Sequence, residues 1–284
     1  EGPVEGRSGG DSVLKVTGND NTIFIDGGNI NIDGYVVNGP VTGGSQGVDI
    51  QGEGNVFKGT NRMHIGRNDG DSLYEGGSAY FRISSSSAEN KARLYLASNV
   101  NLGLGDGESS TYVSEFTIGG ITVVRAMDEV SALESVNVGT GGASIPTGGT
   151  AIFNVQGANN DVLIGNVNVM QVQATGTASG YFNIKGTNNL VRITDSLRIS
   201  TLSGEDGTSI TNGNGYVSIS GTGNTLIVDN ETIIGNHDRA SAGLARFTVE
   251  GTENTVTLNN VKLGAGTDVT GGNGRFIVKG GGNT

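Results

Sequence analysis

The side chains best able to do chemistry in this sequence are its carboxylates. The chain has 28 Asp and Glu residues, but only two His and no Cys, so a cysteine nucleophile is excluded. A Ser-His-Asp site would depend on one of two unrelated histidines. His64 lies between two apolar residues of an alternating run, which predicts an outward-pointing side chain, and His237 lies in a predicted loop. No nucleophilic site is predicted.

Paired carboxylates could hydrolyse polysaccharides if they lay about 5–9.5 Å apart. Residues stacked on neighbouring parallel strands, about 4.8 Å apart, could supply such a pair. However, the positions predicted to face outward carry mostly Thr, Asn, Ser, Lys and Arg, such as Thr248, Thr257 and Lys262, and no Trp is present as a sugar platform. We predict no enzymatic activity. A carbohydrate-binding or polysaccharide-degrading protein is the alternative.

Acidic residues in glycine-rich loops could instead bind Ca²⁺, which prefers hard oxygen ligands. Neither the Asp spacing of an EF-hand nor a Gly-Gly-x-Gly-x-Asp nonapeptide is present, so solvated acidic loops are the alternative. No other cofactor is predicted. The candidate ligands are Asp69, Asp71, Asp106, Glu205 and Asp206, with Glu75, Glu108, Asp238 and Asp268 on the same predicted loop edge.

Charge and hydropathy exclude two classes of partner. The net charge is −11, and no basic cluster is present to displace counterions from nucleic acid. No apolar run approaches the 18 residues that a membrane-spanning helix needs. The absence of cysteine is compatible with an exported protein.

The main pattern of the sequence is a repeated Gly-x-x-Asn tetrad. Its Asn residues recur every 29 to 35 residues, apart from one step of 70 that spans a degenerate unit near Gly119-Gly120. The average is about 33 residues per unit over eight steps, a period typical of repeat architectures. The repeated residues are Asn21, Asn55, Asn90, Asn160, Asn189, Asn224, Asn254 and Asn283.

Each unit contains three short runs with apolar residues at every second position, the period of a β-strand. In one unit these pairs are Phe247/Val249, Val256/Leu258 and Val261/Leu263. The pattern predicts one all-β domain over residues 1–284, a three-faced parallel β-solenoid of about eight coils, with right-handed crossovers. Residues 124–136 have a helical composition, which predicts a short helix or irregular excursion. The variable loops 66–78, 103–115, 203–215 and 235–244 should share one edge.

The tetrads are predicted to form the corners of the coils. Gly and Asn tolerate left-handed backbone dihedrals, and stacked Asn side chains can hydrogen-bond along the axis as a ladder. All eight repeated Asn residues are predicted to be structural members of that ladder.

The units GNDNTIFIDGGNINIDG, GTGNTLIVDN and GTENTVTLNNVKLGAG resemble the Gly-x-x-Asn-Thr-Val repeats of secreted bacterial β-solenoids. That group includes autotransporter-passenger-like adhesins and pectate-lyase-like parallel β-helices, and phage fibre shafts use similar repeats. The resemblance covers nearly the whole chain and implies architecture rather than activity. The Asp and Arg pattern of pectate lyases has no counterpart here.

These observations predict an extracellular or cell-surface structural protein, such as a filament subunit, fibre shaft or adhesin. An open coil at each end would leave unpaired strand edges, which favour pairing with other chains. Head-to-tail association into a homopolymer is therefore expected, with surface glycans as possible partners. The alternatives are a tail-fibre-like carbohydrate-binding solenoid and a longer chain whose further coils cover these ends.

Overall fold

The computed structural model describes residues 7–8, 11–32, 41–42, 44–66, 74–75, 77–103, 113–139, 149–172, 178–203, 210–211, 213–238, 240–264 and 273–284. Within these ranges every regular element is a β-strand. The strands of successive coils pair in parallel, so the predicted all-β parallel solenoid is confirmed. The described residues include no helix that could cross a membrane.

The first face of the solenoid is a nine-stranded parallel sheet in which each strand pairs with those of the preceding and following coils. Its strands are Ser12–Thr17, Ser45–Gln51, Ser78–Ser85, Val113–Gly120, Thr150–Ala158, Ala178–Thr187, Gly213–Thr222, Leu244–Val249 and Asn273–Val278.

The second and third faces belong to one 15-stranded sheet, because the long strand Asp161–Val172 runs through both. The other second-face strands are Thr22–Ile25, Val56–Gly59, Ala92–Leu96, Thr122–Ala126, Leu190–Ile193, Thr225–Val228 and Thr255–Leu258. The other third-face strands are Ile30–Ile32, Met63–Ile65, Val100–Leu102, Leu133–Val138, Ser196–Ser203, Glu231–Asp238 and Val261–Leu263.

Short parallel strands also precede five of the first-face strands among the described residues. One group consists of Arg7–Ser8, Val41–Thr42 and Tyr74–Glu75, and a second of Ile210–Thr211 and Ala240–Ala242.

The core is built from columns of inward side chains, one from each coil. On the first face one such column includes Phe81, Phe116, Phe153 and Phe182, all fully buried. Their ring centroids lie 5.8, 5.1 and 4.8 Å apart from coil to coil, within the range of favourable aromatic pairs. The predicted period of two therefore selects the residues that form the core.

Of the two alternatives expected for residues 124–136, the helix is wrong, whereas residues 127–132 form an irregular excursion between two strands. Thr122–Ala126 and Leu133–Val138 are ordinary second- and third-face strands, and both pair with strands of the neighbouring coils. A six-residue turn over 127–132 joins them, compared with three residues, 97–99, in the preceding coil. In this turn Asp128 Oδ1 accepts the backbone N–H groups of Val130 and Ser131 at 3.0 and 2.7 Å, a side-chain-stabilised turn that helical propensity does not anticipate.

Candidate functional site

The most extensive polar site in the interior is the corner between the first and second faces. Asn224 shows its geometry. Its Nδ2 donates to the carbonyls of Ser220 and Gly186, both at 3.0 Å, and to Oδ1 of Asn254 in the next coil at 3.1 Å. Its own Oδ1 accepts the backbone N–H and the Nδ2 of Asn189 at 3.1 and 2.9 Å. The amides thus satisfy backbone groups that the bend removes from the sheets.

This corner ladder has two parts. Asn21 Nδ2 donates to Oδ1 of Asn55 at 3.1 Å near the beginning of the chain. The longer part consists of Asn160, Asn189, Asn224, Asn254 and Asn283.

Asn90 does not belong to the corner ladder, which corrects its predicted assignment. The pairing of Arg93 with Val56 and Val123 places Ala92, fully buried, at the ladder position of that coil. Asn90 lies two residues earlier, and its Nδ2 donates instead to Oδ1 of Asp20 at 2.9 Å on the surface.

The degenerate coil keeps the corner without an Asn. Thr122 occupies the ladder position, and its hydroxyl donates to the carbonyl of Gly119 at 2.9 Å. Its backbone N–H donates to Oδ1 of Asn160 at 3.0 Å. A Thr can therefore join the end of the longer ladder.

The left-handed backbone of the corner lies at the first and third tetrad positions, not at the ladder Asn. In one tetrad Gly221 has φ +105° and Gly223 has φ +67°, and in the preceding tetrad Gly186 and Asn188 have φ +110° and +53°. The predicted conformational role of the ladder Asn is therefore wrong. Its function is to hydrogen-bond through its side chain.

The calcium candidates Asp69, Asp71, Asp106, Glu205 and Asp206 all lie outside the described residues, so their coordination stays a prediction. Glu108 and Asp268 also lie outside, and only the backbone of Glu75 and Asp238 is described. Within the described part, no three His, Cys, Asp or Glu side chains are grouped to hold a metal ion.

The outward orientation predicted for His64 is confirmed, but the loop position predicted for His237 is wrong. His64 lies in an outer column of the third face, but it is only 5% exposed. His237 continues the third-face strand Glu231–Asp238 rather than lying in a loop. The column of His64 continues as Asn101, Asn137 and Asn168, whose amides hydrogen-bond from coil to coil at 2.7 and 2.8 Å.

The outer first face carries a charged network that the sequence analysis did not single out. Arg82 donates through Nη2 and Nε to the two carboxylate oxygens of Glu115 at 2.8 and 3.3 Å, and Thr117 Oγ1 donates to the same carboxylate at 2.6 Å. The Arg82 guanidinium also lies 4.4 Å from the ring centroid of Tyr80. Burial raises the pKa of Glu115, but the hydrogen bonds from Arg82 and Thr117 outweigh it, so the pKa is lowered.

Because the folded-state pKa of Glu115 is lowered, this carboxylate stabilises the fold at pH values above its unfolded pKa, and the contribution is lost as the pH falls through the folded value. We expect Glu115→Gln to destabilise the protein more at pH 7 than at pH 3, as measured by urea unfolding. Arg82→Gln should remove the same pH dependence. Equal destabilisation of Glu115→Gln at both pH values would contradict the ionic contribution.

The first and last described coils expose side chains that lie in core columns. On the first face, Leu14 of the first strand is 49% exposed, and Phe276 and Val278 of the last strand are 43% and 51% exposed. In the coil before the last, the residues of the same columns, Phe247 and Val249, are essentially buried.

The chain matches no protein-family model, no curated protein and no solved structure.

Proposed function

We propose that the protein is an extracellular structural rod that associates head to tail through the ends of its first face, as a filament subunit, fibre shaft or adhesin. The observation that carries this proposal is the match between the first and last described strands of the first face. The first strand, Ser12–Thr17, and the last strand, Asn273–Val278, each pair on one side only in the first-face sheet. Unpaired edges of this kind favour pairing with another strand.

The direction of the hydrogen bonds in the corner ladder is also compatible with head-to-tail stacking. Asn254 donates through its backbone N–H and Nδ2 to Oδ1 of Asn283 at 3.0 and 3.2 Å. Among the described residues, no donor reaches Oδ1 of Asn21, and the backbone N–H of Asn283 has no acceptor. A second subunit stacked on the last strand would bring these groups together and continue the ladder from Asn283 to Asn21.

The apolar columns are also continuous across the proposed contact. Leu14 occupies the column of Phe276, and Val16 that of Val278. Stacking would remove these side chains from water, and complete burial of one such side chain contributes about 1.5–3 kcal/mol. A contact that repeats with the same polarity does not close, so it produces a filament.

The three faces would not contribute equally to the proposed contact. The first face has nine strands, whereas eight chain segments supply each of the other faces. Direct pairing between subunits would therefore be confined to the first face and its corner. On the second and third faces, the facing strands of the two subunits would be separated by a gap one strand wide, which we call the step. Val261 and Leu263, 52% and 53% exposed, line this step.

Negative-stain electron microscopy and analytical ultracentrifugation of the full natural chain test the proposal. We expect filaments, and Val278→Lys should abolish them because it places a charge in the apolar junction. Val130→Lys is the control, since Val130 is 75% exposed on a turn away from both ends. A protein that stays monomeric at high concentration, with no fibres on the grid, would overturn the proposal. Release of sugars from polysaccharides would favour the enzymatic alternative.

A further inference from the structure

The outer first face contains two arginines in contrasting surroundings. Arg82 is held by the carboxylate of Glu115 on the next strand. Arg246 has Tyr216 on one side of its column and Arg275 on the other. Within the described ranges, neither Arg246 nor Arg275 forms an ion pair. Like charges on adjacent positions of a sheet are destabilising. An anion bound beside Arg246 and Arg275 would relieve this repulsion and supply the counter-ion that Glu115 supplies to Arg82.

Arg246 borders an open groove of about 240 Å³. The stacked rings of Tyr181 and Tyr216, with centroids 4.9 Å apart, form one part of its wall. Ser218, Thr248 and Asn183 add hydroxyl and amide groups, and Val217 and Glu250 complete the lining. The groove therefore combines a cation, one carboxylate and neutral hydrogen-bonding groups.

The guanidinium of Arg246 is incompletely satisfied. Its Nε is buried and has no hydrogen-bond partner in the described structure. A buried donor without an acceptor is destabilising. The acid that lines the same groove, Glu250, is already bound by Lys279, with Nζ 3.0 Å from Oε1, so the groove's own carboxylate is engaged elsewhere.

Tyr216 adds a hydrogen-bond donor to the groove. Burial raises the pKa of its phenol, and the neighbouring Tyr181 raises it further. The hydroxyl of Tyr216 is therefore protonated at neutral pH and able to donate to an acceptor.

We propose that this groove binds a ligand through an oxyanion group, a carboxylate, sulfate or phosphate, which Arg246 holds while the adjacent Arg275 adds positive charge beside the groove. A guanidinium presents paired N–H donors that match two oxygens of such a group. The chain as a whole carries a charge of −11, which repels anions in general, so the attraction must arise locally. This inference is independent of the proposed stacking of subunits.

Titration of the ¹⁵N-labelled protein with sodium sulfate at constant ionic strength tests the site, with the Arg Nε–H signals observed by NMR. We expect saturable shifts of the Arg246 signal. Arg246→Gln should weaken binding, followed through backbone signals of the groove, by about tenfold or more because it removes the charge-assisted pair. Arg275→Gln should weaken it by at least about threefold.

Arg93→Gln is the matched control, because Arg93 also forms no ion pair in the described structure but points from the second face, away from the groove. Its affinity for sulfate should stay within about twofold of the parent value. Arg246→Lys keeps the charge and distinguishes lost recognition from lost folding, since we expect a native spectrum with intermediate affinity. Parallel titrations with acetate and phosphate identify the preferred oxyanion.

The proposal is overturned if the shifts do not saturate, if chloride produces them equally, or if Arg93→Gln weakens binding as much as Arg246→Gln. Saturable binding that survives in Arg246→Gln with a native spectrum would also overturn it, because the ligand would then be held elsewhere.

Discussion

Replacing Asn224 with Ala is expected to lower the free energy of unfolding by about 3 kcal/mol or more. The substitution removes the acceptor of the buried Asn189 N–H, and it removes the donor that serves the carbonyls of Gly186 and Ser220. An unpaired buried polar group costs about 1–3 kcal/mol. Since Asn224 and Asn254 are fully buried, water cannot easily replace the lost amide.

Urea unfolding followed by circular dichroism measures this loss, and Asn90→Ala is its matched control. Asn90 was also predicted from the tetrad pattern to be in the ladder, but its amide lies on the surface, where it bonds to Asp20. We expect Asn90→Ala to cost less than about 1 kcal/mol, as for other exposed polar contacts. Equal effects of the two substitutions would show that the ladder amides are replaceable by solvent.

The tetrad pattern predicts most of the ladder because seven tetrads have the same length. In each of them the ladder Asn follows the first glycine after two residues, as in Gly221–Asn224. In the third coil the chain makes a longer corner, and Ser85, at the place of that glycine, precedes Ala92 by seven positions. Ser85 Oγ donates to the carbonyl of Asn90 at 3.0 Å to hold this corner. Sequence spacing alone cannot reveal that extra length.

The segment 124–136 shows how tertiary pairing overrides local propensity. Met, Glu and Ala residues favour a helix in isolation, but Val124, Leu133 and Val136 pack into the core of the stacked coils, and all three are buried. Both strands of this segment also pair with coils before and after them. A helix would leave the neighbouring strands unpaired on that side.

The outer surface is the part least accessible to sequence reasoning. Inward positions carry a period of two because the core selects apolar residues, whereas almost any polar residue can face water. The contrast between Arg82, paired with Glu115, and Arg246, next to Arg275, depends on which coils lie side by side. An alignment of the coils by their first-face strands places Tyr181, Tyr216 and Arg246 in one column. That alignment is the sequence feature from which the groove could be predicted.

The other large effect is expected from Gly221→Ala, which should destabilise the protein by about 3–5 kcal/mol or prevent soluble expression. Gly221 has φ +105°, a conformation that residues with a Cβ rarely adopt. An added methyl group would also collide with the carbonyl oxygen of Gly186 in the preceding coil. That carbonyl accepts the Nδ2 of Asn224, so a backbone shift that relieved the collision would strain the ladder as well.

Gly223→Asn is the matched control, because it changes a glycine of the same corner to a residue that the fold already uses there. Gly223 has φ +67°, and Asn188 and Asn159 hold the same position of the two preceding tetrads with φ +53° and +57°. Its new Cβ would meet only the side-chain oxygen of Asn188, which can rotate away. We expect a change within about 0.5 kcal/mol, since Asn tolerates this region and restricts the unfolded chain more than Gly does. If Gly221→Ala proved as mild as Gly223→Asn in thermal and urea unfolding, the close approach of stacked glycines would not limit the corner, and the ladder amides alone would set its geometry.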